Sequence, residues 1–492
     1  MPPGLILTGM TTSPSAPFAA GRRPNVVFIL SDDQGPWAAG CYGNAEIRTP
    51  NLDRLAAEGV RLTHFFVATP VCSPSRATLL TGTIPSQHGI HDWLYAGPST
   101  PDRPDYNVGP AARPLLAGQV AYTDVMAAHG YRCGLSGKWH LGDSRRPQHS
   151  FDFWFVHQRG GGPYNDAPMV RDGRLTTEPG YVTDVITDEA LRFLDRHYAA
   201  RPDQPFYLGV HYTAPHSPWT GHPQALVDFY ADCPFASCPQ EPRHPWAGDL
   251  TDRCLGNREM LQGYFAAVTA MDANIGRLLA RLDALGIRQD TLVVFTSDNG
   301  FSCGHHGFWG KGNGTRPRNM YENSIRVPCI FSHPGRLPQG HVAGAMASAY
   351  DFMPTLLEYL DLPIPADRNL PGASFLPDLR AAGRPILRQA QDRLDDRRPT
   401  RGDRPVVVYD EYGPVRMIRT REWKYVYRHP DGPHDLYDLV SDPDERRNLA
   451  DDPGQVHRIR DLHAQLEAWF ARYVVPERDG LRARLDVGAG AW

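Results

Sequence analysis

Four short apolar runs, each ending in a cluster of polar residues, constrain this chain more than any other feature. They are Asn25 to Leu30, followed by Ser31-Asp32-Asp33; Tyr131 to Ser136, followed by Gly137-Lys138-Trp139-His140; Phe206 to Tyr212, followed by Thr213-Ala214-Pro215-His216; and Thr291 to Thr296, followed by Ser297-Asp298-Asn299-Gly300. Runs of this length, rich in β-branched residues and separated by stretches of helical spacing, predict strands buried on both faces. The fold class that follows is α/β, with a mostly parallel central sheet sandwiched by helices. In open α/β sheets ligands bind outside the carboxyl ends of the strands, so the four polar clusters are expected to meet at one edge.

Scaffold helices are legible between the runs. Thr49-Pro50 predicts an N-cap and first-turn proline for a helix through Glu58, stopped by Gly59, and Asn257 to Leu285, ended by Gly286, predicts a long amphipathic helix. From Pro385 to Pro405 the sequence is dense in charge and poor in apolar residues, which predicts an exposed linker or insert. Beyond it, Val406 to Tyr409, Val415 to Arg419 and Trp423 to Tyr427 read as strands and Pro453 to Tyr473 as a helix. The expected division is a large α/β domain over residues 22–383, a charged linker or insert over 384–404, and a smaller C-terminal subdomain, an antiparallel sheet plus helix, over 405–492.

Composition excludes some partners. A formal net charge of −4 provides no diffuse basic field for nucleic acid or an anionic membrane surface, so any anion specificity must be local. No window approaches the roughly eighteen apolar residues of a bilayer span, and Met1 to Gly21 lacks a basic leader region, so a cytoplasmic location is expected. Eight cysteines are too sparse for a disulfide scaffold. Cys233, Cys238 and Cys254 are expected to be plain thiols, with a disulfide or adventitious metal site as the alternative.

The residues that carry chemistry begin with Cys72, at an expected helix start with Arg76 one turn further on. Residues four apart share a helical face, so Arg76 can fold back toward the atom carried at Cys72. A helix N-terminus favours an anion there by about 0.3–1 kcal/mol, and a low-pKa thiolate would gain from the same setting. Taken alone, a cysteine before a helix is more often a small buried apolar residue. Asp32, Asp33, Asp298 and Asn299 form a hard oxygen set suited to Ca²⁺, or to Mg²⁺ if the cage is small; an isolated Asp-Asn-Gly more often closes a turn. Lys138, His140, His216 and Lys311 supply positive charge and proton donors, although singly each reads as a solvated charge or a satisfied polar group.

The string Cys72-Ser73-Pro74-Ser75-Arg76-Ala77-Thr78-Leu79-Leu80-Thr81-Gly82 resembles the signature of the cysteine-type, formylglycine-dependent sulfatases of the alkaline phosphatase-like superfamily. Ser31-Asp32-Asp33, Gly137-Lys138-Trp139-His140-Leu141-Gly142, Ala214-Pro215-His216-Ser217-Pro218 and Ser297-Asp298-Asn299-Gly300 match further motifs in the family's order. Asp435-Leu436-Tyr437-Asp438-Leu439, Asp442-Pro443 and Asn448-Leu449-Ala450 are similar to its tail. The resemblance spans roughly Pro24 to Tyr473.

That resemblance implies oxidation of Cys72 to formylglycine by a maturation enzyme. It implies one divalent cation on Asp32, Asp33, Asp298 and Asn299, completed by an oxygen at position 72. Lys138 and His140 would lie beside the formylglycine, with His216 and Lys311 facing the sulfate and leaving oxygen. A hydroxyl of the hydrated aldehyde would attack sulfur while the alcohol leaves with a proton from His216 or a neighbour. Loss of the second hydroxyl's proton to His140 would then expel sulfate. The implied substrate is a sulfate ester, first among them a sulfated carbohydrate.

The rivals are a phosphodiesterase or phosphonate monoester hydrolase, whose members tend to carry Asp-His where this chain has Asp298-Asn299, and a non-catalytic binder of sulfated glycans that never matures Cys72. One departure from the family pattern stands out: Gly312 to Met320 intervene between Lys311 and Tyr321-Glu322. This loop is expected to bring Arg316 or Arg318 to a second anionic group such as a sugar carboxylate, with a flexible solvated loop as the alternative. His305 and His306 are expected to support ligands rather than to ligate.

Overall fold

The computed structural model describes residues 23–94, 104–381, 404–410 and 413–482. The strands, in chain order, are β1 (Asn25–Ser31), β2 (Val60–Phe66), β3 (Arg132–Gly137), β4 (Phe151–His157), β5 (Asn165–Arg171), β6 (Arg174–Tyr181), β7 (Phe206–His211), β8 (Thr291–Ser297), β9 (Ser302–Cys303), β10 (Trp309–Gly310), β11 (Arg326–Ser332), β12 (His341–Ser348), β13 (Val406–Tyr409), β14 (Val415–Arg419), β15 (Trp423–Arg428) and β16 (Asp435–Asp438). Ten form one sheet in the order β12-β2-β11-β8-β1-β7-β3-β4-β5-β6. Its centre, β8-β1-β7-β3-β4, is parallel throughout, while β11 and β5 run against their neighbours. The four predicted strands are thus adjacent, as β8, β1, β7 and β3.

The unbroken hydrophobicity of β1 follows from burial on both faces. Val26, Phe28 and Leu30 belong to one core with Tyr122, Phe352 and Leu356, whereas Val27 and Ile29 join Phe193, Leu208, Ile275 and Leu278 on the other side. Each such side chain contributes about 1.5–3 kcal/mol by leaving water. The helices Cys72–Thr81 and Ala349–Tyr359 cover the first face, and Val182–Ala200 with Arg258–Ala284 the second.

The long helix starts where Asn257 caps it, accepting the amides of Glu259 at 3.1 Å and Met260 at 3.4 Å, and Gly286 follows it at φ +67°. Thr49 does precede the helix Pro50–Ala57, but its hydroxyl accepts from Gly40 N at 2.8 Å and makes no capping bond. The cap comes from far along the chain. Asp272 takes the amides of Asn51 at 3.1 Å and Leu52 at 2.8 Å, a partner that no local pattern announces.

At the C-terminal end, β13, β14, β15 and β16 form an antiparallel sheet in that order. The helix Val456–Tyr473 packs on it through Leu462, Leu466 and Phe470. The same core takes in Ala68 and Tyr350, and Tyr409 N donates to Ala68 O at 3.0 Å, close before Cys72 in the chain. The charged stretch 384–404 lies outside the described residues except for Arg404, which pairs with Asp351 at 2.8 Å. All eight cysteines are free, and Cys238 and Cys254 pack in an aromatic core with Trp219, Tyr264 and Trp309. Among the described residues no helix is long and apolar enough to cross a membrane.

Candidate active site

The parallel register brings the four polar clusters to one edge. Ser31 pairs with Ser297, Leu30 with His211, and Gly137 with His211, so β8, β1, β7 and β3 end side by side. Backbone bonds continue past the strand ends, from Asp298 N to Ser31 O at 3.1 Å, Asp32 N to Ala214 O at 3.0 Å and Lys138 N to His211 O at 2.7 Å. Gly137 is required for this approach: its φ is +114°, and a Cβ there would lie 1.9 Å from His211 O. Asp33 and His140 adopt left-handed backbone at φ +68° and +59°, at a cost of about 1–3 kcal/mol each.

Cys72 is the first residue of a helix that is buried along its whole length. Ligand atoms of Asp32, Asp33, Cys72 and Asp298 all lie within 4.8 Å of one another. Cys72 Sγ donates to Asp32 Oδ1 at 3.4 Å and accepts from Lys311 Nζ at 2.8 Å. Lys311 Nζ also donates to Asp33 Oδ1 at 2.5 Å, and Lys138 Nζ lies 2.5 Å from Asp32 Oδ2. Despite the long loop that follows it, Lys311 therefore reaches Cys72 and Asp33. Arg76 folds inward as expected but engages the acids: Nε donates to Asp298 Oδ2 at 2.8 Å, and Nη1 to Lys138 O at 3.2 Å. Asn299 Nδ2 donates to Asp33 Oδ1 at 2.6 Å and to Gly300 O at 3.0 Å, which leaves its buried Oδ1 without a partner.

Burial and charge oppose each other here. Burial works to raise the carboxyls of Asp32 and Asp33, but Lys138 for the first and Lys311 for the second, each helped by His216, hold both below the ordinary carboxylate value. Burial works against the charge on Lys311, yet Asp33 and its acidic neighbours keep that ammonium well above its ordinary value. Burial, with Asp32 beside it, pushes the Cys72 thiol up to about 12, so it is protonated at neutral pH. Burial, then Lys138 and Arg76, hold His140 well below its usual value, so it is neutral, and its Nδ1 has no partner. His216 sets Nδ1 2.8 Å from Ser217 O, which directs that proton to the carbonyl and leaves Nε2, 3.8 Å from Asp33 Oδ2, facing the acids.

Several contributors escaped sequence reasoning. Tyr264 donates to Asp33 O and Tyr164 to His216 O, both at 2.8 Å, while His211 Nδ1 lies 3.2 Å from Lys138 O. The run Gly160-Gly161-Gly162 lies against the rings of His140, His216 and His157, and that triple glycine was a signal available in the sequence. Arg316 is exposed on the loop after Lys311, and Arg318 lies 3.8 Å from Asp410 of the C-terminal region. His305 Nε2 donates to Ser237 O at 2.9 Å and its Nδ1 accepts from Cys303 N at 3.3 Å, while His306 stacks on Tyr321 with centroids 3.9 Å apart.

Three carboxylates and position 72 converge in a buried cage, with the Asn299 amide hydrogen-bonded to Asp33 at its edge, and this set suits a hard divalent ion. The comparisons agree. A family model described as Sulfatase matches residues 24–362. An ulvan-active sulfatase of Formosa agariphila is 31% identical over 91% of this chain and 81% of its own length. An N-acetylglucosamine-6-O-sulfatase of Bacteroides thetaiotaomicron is 28% identical over 92% of this chain and 87% of its own. A solved structure in complex with its substrate D-glucosamine-2-N,6-O-disulfate superposes with a TM-score of 0.74 at 25% identity, covering 94% of this chain and all of the other. With the signature at Cys72, the ordered motifs and the cage they build, the chain belongs to the sulfatase family and is a sulfuric ester hydrolase.

Proposed function

We propose that this chain removes sulfate from a sulfated carbohydrate, using formylglycine formed from Cys72 and one divalent cation, Ca²⁺ before Mg²⁺. The observation that carries this reading is the approach of ligand atoms of Asp32, Asp33, Cys72 and Asp298 within 4.8 Å of one another, with the Asn299 amide bonded to Asp33 beside them. Family membership implies a metal ion and formylglycine. A cage offering mostly protein oxygens favours Ca²⁺, because Mg²⁺ retains several waters in tight octahedral geometry. A protonated, soft thiol is a poor nucleophile at neutral pH and a poor partner for a hard ion, which supports its conversion by a formylglycine-generating enzyme.

Charge supports the same conclusion. Asp32, Asp33 and Asp298 are matched by Lys138, Lys311 and Arg76, so a bound dication leaves a positive surplus to meet an anionic ester. When bound, the cation supplies Lewis-acid polarisation and a template for the reacting oxygens. Lys311 Nζ, already at hydrogen-bond distance from position 72, donates to sulfate oxygens. Neutral His140 accepts a proton from the group at position 72, and His216, carrying protons on both ring nitrogens, gives the one on Nε2 to the leaving oxygen while Nδ1 stays bonded to Ser217 O. Arg76 and Lys138 hold Asp298 and Asp32 in place. Removing one such donor, as in Lys311→Ala, lowers kcat by about 10²–10³.

A carbohydrate ester is favoured because the relatives are named for carbohydrate sulfates. Arg316, exposed on the added loop, serves a second anionic group of the sugar; Arg318 serves it less directly, being drawn toward Asp410. The test is matured protein assayed against 6-sulfated N-acetylglucosamine and N-acetylgalactosamine, sulfated uronate oligosaccharides, an aryl sulfate and an aryl phosphodiester. Sulfate release from a sugar is expected, with no turnover by Cys72→Ala and a Cys72 peptide lightened by exchange of thiol for aldehyde. A strong preference for the phosphodiester, or turnover surviving in Cys72→Ala, overturns the reading.

A further inference from the structure

The loop that separates Lys311 from Tyr321 poses a physical problem. Lys311 must deliver its ammonium to Cys72 and Asp33, yet the residues after it wander through two glycines and a proline before the chain returns. Buried backbone groups in such an excursion need partners, and a lysine on an untied loop would sample many positions.

One side chain ties both ends. Asn319 is 2% exposed, and its Nδ2 lies 2.9 Å from Lys311 O, 3.2 Å from Thr315 Oγ1 and 3.3 Å from Gly312 O. Its Oδ1 accepts from Ser324 Oγ at 2.7 Å and Tyr321 N at 3.4 Å, and its own amide donates to Gly312 O at 3.1 Å. Gly314 N adds a further bond to Lys311 O at 2.8 Å. The near end of the loop lies against Pro70, just before Cys72: a Cβ on Gly312 would meet Pro70 Cγ at 2.3 Å. Beyond Asn319, Met320 O accepts from Lys424 Nζ at 2.9 Å, which anchors the far end to β15. Only an amide offers both donors and acceptor here; aspartate lacks the donors, and serine lacks the reach.

We propose that Asn319 is a positioning residue for sulfate-ester hydrolysis, clasping the loop so that Lys311 is held against position 72. The proposal rests on the assignment of Lys311 to the substrate sulfate. It makes the long loop a rigid lever, in contrast to a solvated excursion.

Turnover of N-acetylglucosamine 6-sulfate and 4-nitrophenyl sulfate by matured wild type, Asn319→Ala, Lys311→Ala and the double variant tests it. Asn319→Ala is expected to lower kcat about tenfold or more while KM changes less than about threefold. In the Lys311→Ala background the same change is expected to cost nothing further, because the lever no longer carries its load. Amide hydrogen exchange in Asn319→Ala is expected to accelerate within residues 311–320 and not elsewhere, a readout independent of activity. Where Asn319→Ala does not fold, Ser324→Ala, which removes only the donor to Asn319 Oδ1, is expected to give a smaller fall in kcat that again vanishes in the Lys311→Ala background. Unchanged kcat in the folded variant, or losses that multiply with Lys311→Ala, overturns the positioning role. Wild-type kcat in Lys311→Ala alone sinks the Lys311 assignment and the proposal with it, a result distinct from failure of Asn319 alone.

Discussion

At the scale of single residues, the wall beside His140 leaves no space for a methyl group. A Cβ on Gly160 would lie 2.2 Å from His140 Cε1, whereas one on Gly161 would meet His216 Nδ1 at an ordinary 3.4 Å. Overpacking costs about 1–3 kcal/mol, and small displacements of a proton-transfer group cost up to about 10²-fold in rate. Gly160→Ala is therefore expected to lower both kcat and the unfolding temperature, with Gly161→Ala close to wild type in both. Equal effects of the two substitutions, seen by steady-state kinetics and calorimetry, would refute this account of the wall. The motif residues Asp32, Asp33, Cys72, Lys138, His216, Asp298 and Asn299 were singled out in sequence by the family resemblance, and local patterning added only that they sit at or beyond strand and helix ends. Asn319 was not, because its role depends on what lies opposite it, and the triple glycine at 160–162 marked a close approach without naming the ring it meets.

At the scale of elements, the loop after Lys311 is joined to the C-terminal sheet by a buried charge cluster. Lys424 on β15 lies 2.8 Å from Glu322 and 2.6 Å from Glu445, with Arg419 on β14 3.5 Å from Glu322. Burial works to raise the Glu322 carboxyl, but Lys424, Arg419 and Arg326 hold it well below its ordinary 4.5. A depressed acid stabilises the fold fully above its unfolded value, and that contribution fades as pH falls below about 4.5 toward the folded one. Glu322→Gln is accordingly expected to flatten the loss of stability between about pH 5 and pH 3, as measured by denaturant unfolding across that range. Parallel curves for variant and wild type would show that the cluster does not carry the linkage. The strands on either side of this cluster were readable as alternating runs. The Asp435–Asp438 segment, noticed only as a family-like tail, turned out to be the fourth strand, β16; it is as short as β13 but lacks the β-branched residues that marked that strand.

At the scale of the whole molecule, the cage gathers side chains from just beyond β1 and β8 and from the Cys72 helix, so a cation bound there would tie together elements far apart in sequence. An ion that binds only the folded chain stabilises it by about 2.7 kcal/mol at a hundred times its dissociation constant. Chelation is expected to lower the unfolding temperature and Ca²⁺ to restore it more fully than Mg²⁺; an unfolding temperature indifferent to both would count against the metal centre. The sequence alone determined the type of the central strands and the polar groups at their ends, because periodicity, caps and turn residues act over a few neighbours, whereas their order in the sheet came from the tertiary structure. Only the tertiary structure decided that Arg76 grips Asp298, that Asp272 caps a helix more than two hundred residues away, that the Cys72 thiol is raised, and that Lys311 reaches its target. Ion pairing and desolvation depend on distances between strands that are remote in the chain, and no local pattern encodes those distances.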